Sequence, residues 1–245
     1  MFTTLACKTL STMRLRPFYM LLCAASSFMW GACQFDNYDP PQSTLKGRIV
    51  YGGEPINIAF NEVSFQLWEP GWQKSDPINV TVDQDGSYSA LLFNSTYKMI
   101  FQRGQGPFMS VRNDETNSDT LLVTVNGSRE LDIEVMPYYM IRNPQFSGGS
   151  SVSASCQLEQ IVTGSDAKPV ERVSLYLSKT AFVDNRTQIA FKDLNAGDIT
   201  DMNNISLRVN VPALVPAQNY VFARIGVKIS GVEDMLFSPI EKIQF

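Results

Sequence analysis

The chain has 245 residues, 24 of them acidic against 20 basic, and no histidine at all. The missing imidazole excludes Ser-His-Asp and Cys-His catalysis and removes the commonest transition-metal ligand. A formal charge of −4 without a basic cluster argues against nucleic acid, whose phosphates require stripes of Lys and Arg.

Lys8, Arg14 and Arg16 are the only charged residues ahead of Cys33. An apolar run from Phe18 to Trp30 follows, then the small pair Gly31-Ala32, the order of a secretory signal. The run is too short for the ~20 residues of a membrane span. Met13 offers a second start that gives a more compact signal, leaving residues 1–12 as an extension ahead of it. Cys33 stands where a bacterial lipobox places its acylated cysteine, with Trp30 at the position where Leu is usual. The expectation is a lipid anchor at Cys33; the alternative is an ordinary secretory signal with a coincidental cysteine. Cys7 and Cys23 leave with the signal, so Cys156 would remain alone and no internal disulfide forms.

Gln34 to Ser43 is polar, carries Asp36, Asp39 and Pro40-Pro41, and reads as an extended tether. Acids behind a lipidated cysteine resemble the surface-export signals of Bacteroidetes lipoproteins, and a plain soluble spacer is the other reading.

From Thr44 onward short strand-like runs alternate with turn signals, and no helical period is sustained. Leu45, Gly47, Ile49 and Tyr51 begin a strand that stops at Gly52-Gly53. Val63, Phe65 and Leu67 alternate with Ser64, Gln66 and Trp68, giving one apolar and one solvent face. Ile78 to Val82 leads to the turn Asp85-Gly86, then come Tyr88–Leu92, Tyr97–Phe101 and Leu121–Val125. Asn126-Gly127 reads as a second hairpin turn into Leu131–Val135. Seven strands at this spacing predict an antiparallel sandwich over 44–137. Met136-Pro137-Tyr138-Tyr139 marks its end, with the tyrosines as an interdomain packing hinge. A second, fibronectin- or Ig-like sandwich is expected over 138–245, from Val152–Val162, Val173–Leu177, Ile205–Val209, Tyr220–Ile229 and Leu236–Phe245. The fold class is all-β, two tandem sandwiches.

Gly47-Arg48-Ile49-Val50, Val63-Ser64-Phe65, Val82 to Tyr88 and Asn94 to Met99 resemble the carboxypeptidase regulatory-like, transthyretin-type sandwich. Asn94-Ser95-Thr96 stands where that family often has Pro-Gly. Taken whole, signal, acidic tether and two sandwiches resemble the DUF3823 family of Bacteroidetes lipoproteins. The resemblance implies glycan capture at the outer membrane, beside a SusC-like transporter and a SusD-like lipoprotein as partners. It brings no site residues with it.

The sharpest local feature is Trp68-Glu69-Pro70-Gly71-Trp72-Gln73-Lys74-Ser75-Asp76. Flat indole faces can stack on the C–H surface of a sugar ring, while Glu69, Gln73 and Asp76 can accept hydroxyl hydrogen bonds. The alternative is that one tryptophan covers the end of the sandwich and the other packs on the second domain. Gly104 to Asp119 reads as a solvated loop; Asp114, Glu115 and Asp119 lack the calcium-loop pattern. Asp83 and Asp85 are explained by their turn. No metal or cofactor is expected. The five sequons, at Asn79, Asn94, Asn126, Asn185 and Asn204, matter only in a eukaryotic secretory pathway.

The leading expectation is therefore a lipid-anchored outer-membrane protein that binds polysaccharide or oligosaccharide without catalysis. One rival is an assembly component of the transporter complex that binds no sugar. Another is a glycoside hydrolase working with two carboxylates.

Overall fold

The computed structural model describes residues 39–71, 76–113 and 115–245. The N-terminal stretch with the expected signal and Cys33, and Trp72, Gln73 and Asp114, lie outside them. The architecture is all-β, with two sandwiches in tandem.

In the first sandwich, β1 (Ser43–Tyr51) sits at the middle of one sheet. On one side it pairs antiparallel with β5 (Ser87–Leu92) and, past the Gly52-Gly53 turn, with β2 (Glu54–Pro55). The facing sheet has the order β4 (Ile78–Thr81), β3 (Ser64–Trp68), β6 (Ser95–Phe101), β7 (Thr120–Val125), all antiparallel. Alternation works as expected: Leu45 and Ile49 meet Phe65, Leu67, Tyr97, Met99 and Val123 in a sealed core. Phe65 packs edge-on against Tyr88, ring centroids 5.0 Å apart.

Two expectations are corrected here. Asn126-Gly127 does not close a hairpin; it carries the chain from one sheet to the other. The following segment splits into β8 (Arg129–Glu130) and β9 (Ile133–Glu134), which run parallel to β1. The parallel course follows from the crossover, since the chain arrives at the start of β1 rather than at the end of β7. Between the two pieces, Leu131 N–H donates to Lys46 O at 2.8 Å, and Arg48 N–H donates to Asp132 Oδ1 at 2.9 Å. The approach is close enough that a Cβ on Gly47 would lie 1.9 Å from Leu131 O. The Asp85-Gly86 turn stands as read, with Gly86 at φ 80° and Asp85 Oδ1 accepting from Ser87 N–H at 3.0 Å.

The second sandwich pairs the sheet β10 (Tyr139–Ser147), β11 (Ser151–Gln160), β14 (Ile205–Asn210) with a sheet ordered β13 (Ala190–Asn195), β12 (Val170–Ser178), β15 (Tyr220–Ile229). The free side of β15 is completed by β16 (Leu236–Phe237) and β17 (Glu241–Gln244). The alternation of β12 puts Val173, Leu175 and Leu177 into the core. Its other face, Ser174, Tyr176 and Ser178, is buried as well. Tyr176 is covered by Val183, Met235 and Phe237 of the same sandwich together with Ala59 of the first, and Ser174 Oγ–H donates to Asp193 Oδ1 at 2.5 Å.

The connection 104–119 is also not simply solvated. Gly106, Pro107 and Phe108 are buried, and Phe108 meets Phe101 edge-on at 6.0 Å. Gly104 O and Gln105 O accept from the backbone N–H groups of Glu233 and Asp234 at 3.0 and 2.9 Å. The segment straps the second sandwich to the first. Tyr138 and Tyr139 are buried between them, as a packing hinge should be, and Tyr139 Oη donates to Lys168 O at 2.9 Å. Residues Pro41–Phe245 thus form one compact unit.

Candidate functional site

Trp68 ends β3 on the face opposite Phe65 and Leu67. Cross-strand register places it beside Lys98, and Lys98 beside Leu122. Trp68 is half-buried, Lys98 is exposed and Leu122 is 65% exposed. The next row along the same face is Asn79, Gln66, Ile100 and Thr120. Trp68 Nε1–H donates to Gln66 Oε1 at 3.1 Å, which satisfies the indole and fixes its ring against the sheet. Farther along, the hydroxyls of Thr96 and Thr124 bond at 2.9 Å. The result is an open face where an indole and a leucine lie among amide, hydroxyl and ammonium groups, an apolar surface bordered by hydrogen-bonding groups.

The remaining predicted residues divide. Glu69 is half-buried near the Tyr97 phenol, whose pKa is pushed up to about 12 by burial first and the Glu69 charge second. It therefore serves the end of the sandwich. Pro70 and Gly71 turn the chain, with Gly71 at φ 97°, and Asp76 is exposed beyond the turn. Gln66, Lys98 and Leu122 were not singled out from sequence. They come from three strands, and only the register of the sheet gathers them.

A second feature lies where the two sandwiches meet. A cleft of 470 Å³ has one wall from Arg48, Glu54 and Asp85, the opposite wall from Met140, Arg142 and Asn143, and Phe237 at its base. Arg142 holds both sides: Nε–H donates to Glu159 Oε2 at 2.6 Å, and Nη1–H donates to Glu54 Oε2 at 2.5 Å. Asn143 adopts φ 50° in the register shift of β10 between Arg142 and Gln145.

Beneath the cleft the junction is built on a fully buried arginine. Arg224 donates from Nε to Ser238 O at 2.7 Å, from Nη1 to Ile58 O at 2.9 Å and from Nη2 to Gln84 O at 2.8 Å. Its guanidinium lies 4.5 Å from the Phe237 ring centre. Burial pulls its pKa down to about 9 against the opposing charges of Asp184 and Asp85, so it stays charged at neutral pH. Asp184 is itself buried, yet its pKa is lowered: hydrogen bonds from Arg186 and Thr187 outweigh the cost of burial. Arg186 reaches across to Phe60 O and Glu62. Asp234 differs, being 5% exposed with Oδ2 lacking a hydrogen-bond partner. Burial, then the charges of Glu62 and Glu233, raises its pKa to about 7. Among the described residues no group of three or more His, Cys, Asp or Glu side chains is arranged to hold a metal.

Comparison with known proteins matches both sandwiches. A family model described as the N-terminal domain of a protein of unknown function (DUF3823) matches residues 43–136, and one described as DUF3823_C matches residues 139–242. A crystal structure of a DUF3823 family protein from Parabacteroides merdae is 33% identical at TM-score 0.72, covering 84% of this chain and 100% of that one. A second, from Bacteroides ovatus, is 28% identical at TM-score 0.72, covering 82% and 98%. A Bacteroides uniformis protein described as a candidate carbohydrate-binding protein shares the fold at 17% identity and TM-score 0.66, covering 84% and 100%. No curated protein matches the chain. With both halves matched by the paired models, the chain belongs to the DUF3823 family.

Proposed function

We propose that this chain is a lipid-anchored outer-membrane protein of a polysaccharide-utilisation system, one that binds saccharide without catalysis through the Trp68 face. The observation that carries the reading is the Trp68–Lys98–Leu122 row, an indole pinned by Gln66 on an open sheet. Such a surface offers a sugar ring an apolar platform with donors and acceptors at its margin. The Bacteroides uniformis relative, described as a candidate carbohydrate-binding protein, supports the same ligand class. The lipobox-like Cys33 and the acidic tether support membrane attachment, with a SusC/SusD-like pair as neighbours.

Hydrolysis fits less well. The carboxyl whose proton is held to about pH 7, Asp234, is buried beneath the junction and cannot reach a glycosidic bond. The test is to express residues 34–245, which contain the whole compact unit, and pass the protein over immobilised plant and host polysaccharides. Saturable retention that Trp68→Ala strongly weakens is the expected result. A folded protein retained by no polysaccharide, but recovered with an outer-membrane transporter, favours the assembly role instead.

A further inference from the structure

We propose that the cleft between the sandwiches is a second saccharide site, separate from the Trp68 face, which takes a neutral sugar residue. The inference rests on the saccharide reading above. Its volume of 470 Å³ lies within the range of about 300–1,000 Å³ typical of small-molecule sites, which favour domain interfaces.

Charge decides the ligand class. Arg48 stands beside Glu54 and Asp85 on one wall and Arg142 faces them from the other, two cations against two anions, so the lining is balanced. A phosphate or a polyanion finds no net attraction there, and a cation finds none either. What the cleft does offer is a fixed set of strong donors and acceptors, the need of a ligand that is mostly hydroxyl. Pro55, Pro144 and Pro239 supply apolar patches for C–H surface between those groups.

The groups are held before any ligand arrives. Arg142 is clamped by Glu159 on the neighbouring strand and by Glu54 from the other sandwich. The hairpin that carries Glu54 is itself pinned, because Gly52 N–H donates to Glu134 Oε1 at 2.5 Å. Asp85 accepts from both the N–H and the hydroxyl of Ser87, at 3.0 and 2.6 Å, which leaves its second oxygen toward Arg48 at 3.8 Å. Such preorganisation lowers the ordering cost of binding. Asn143 supports the same conclusion. A bulge in β10 brings it to a left-handed conformation at the rim, and bulges of this kind re-aim side chains beside binding sites. The base is rigid too, since Phe237 N–H donates to Asn57 O at 2.9 Å and ties the two sandwiches there.

Titration calorimetry on residues 34–245 tests this, using neutral gluco- and xylo-oligosaccharides and oligogalacturonides as probes. The variants are Trp68→Ala, Arg142→Gln and Asn143→Gly. The glycine tolerates the left-handed backbone and so removes the amide alone. Arg142→Gln and Asn143→Gly are each expected to weaken binding of short neutral oligosaccharides about tenfold. The unfolding midpoint stays unchanged in Asn143→Gly and falls slightly in Arg142→Gln, which gives up the ion pairs to Glu54 and Glu159. Trp68→Ala should leave part of that binding in place. If both cleft variants bind as the native protein does while Trp68→Ala binds nothing, the cleft is not a site and the Trp68 reading stands. Preference for oligogalacturonides in the cleft overturns the neutral ligand. No binding by the native protein overturns both readings together.

Discussion

Asp234 is a buried carboxyl whose Oδ2 has no partner, held close to Glu62 and Glu233, and its pKa of about 7 lies well above the ordinary 3.8. The sign of the consequence follows directly. The folded state keeps a proton that the unfolded state releases, so the stability contributed by the protonated form is complete below about pH 4. It is lost as pH rises through about 7. Lys228, the one cation among the causes of the shift, opposes it only weakly. Asp234→Asn removes a charge that must otherwise be buried at high pH. Denaturant unfolding should show the variant more stable than native by on the order of 2 kcal/mol at pH 8, with the gap closing toward pH 4. An equal gap at both pH values would show that Asp234 titrates normally.

At the scale of elements, alternation and turn chemistry made most of the first sandwich legible. Val63, Phe65 and Leu67 point inward as read, and Asp85-Gly86 turns where Gly is needed. Alternation states which residues share a face but not what covers that face. Ser174, Tyr176 and Ser178 look like a wetted side of β12 and are buried, Tyr176 under Val183, Met235, Phe237 and the first sandwich's Ala59. The same gap hid β10, whose sequence Ile141-Arg142-Asn143-Pro144 breaks its period at the bulge, and the parallel course of β8 and β9. The Trp68 face was half legible: the tryptophan stood out by type and position, whereas Lys98 and Leu122 needed the register. The cleft was not legible, because Arg48 and Arg142 come from different domains.

For the whole molecule, the two sandwiches behave as one body because a charged group is sealed between them. Arg224 satisfies three carbonyl oxygens, two from the first sandwich and one from the second. Gln84 O keeps the Ile58 N–H at 3.2 Å, so Arg224→Ala strands Ser238 O and Ile58 O at the junction and should cost about 3 kcal/mol in denaturant unfolding. A loss below about 1 kcal/mol would mean that water reaches the junction. In this arrangement Glu54 and Arg142 are set across the cleft from each other, so the geometry of the cleft depends on how firmly the junction holds.

The central claim is that the Trp68 face meets a sugar, and the chain supplies its own reporter. Within residues 34–245 its only tryptophans are Trp68 and Trp72. Titrating residues 34–245 with oligosaccharides while following tryptophan emission therefore reads this region and nothing else. The account predicts a saturable blue shift that Trp68→Phe strongly reduces. Saccharide binding seen by calorimetry with no change in tryptophan emission would contradict it.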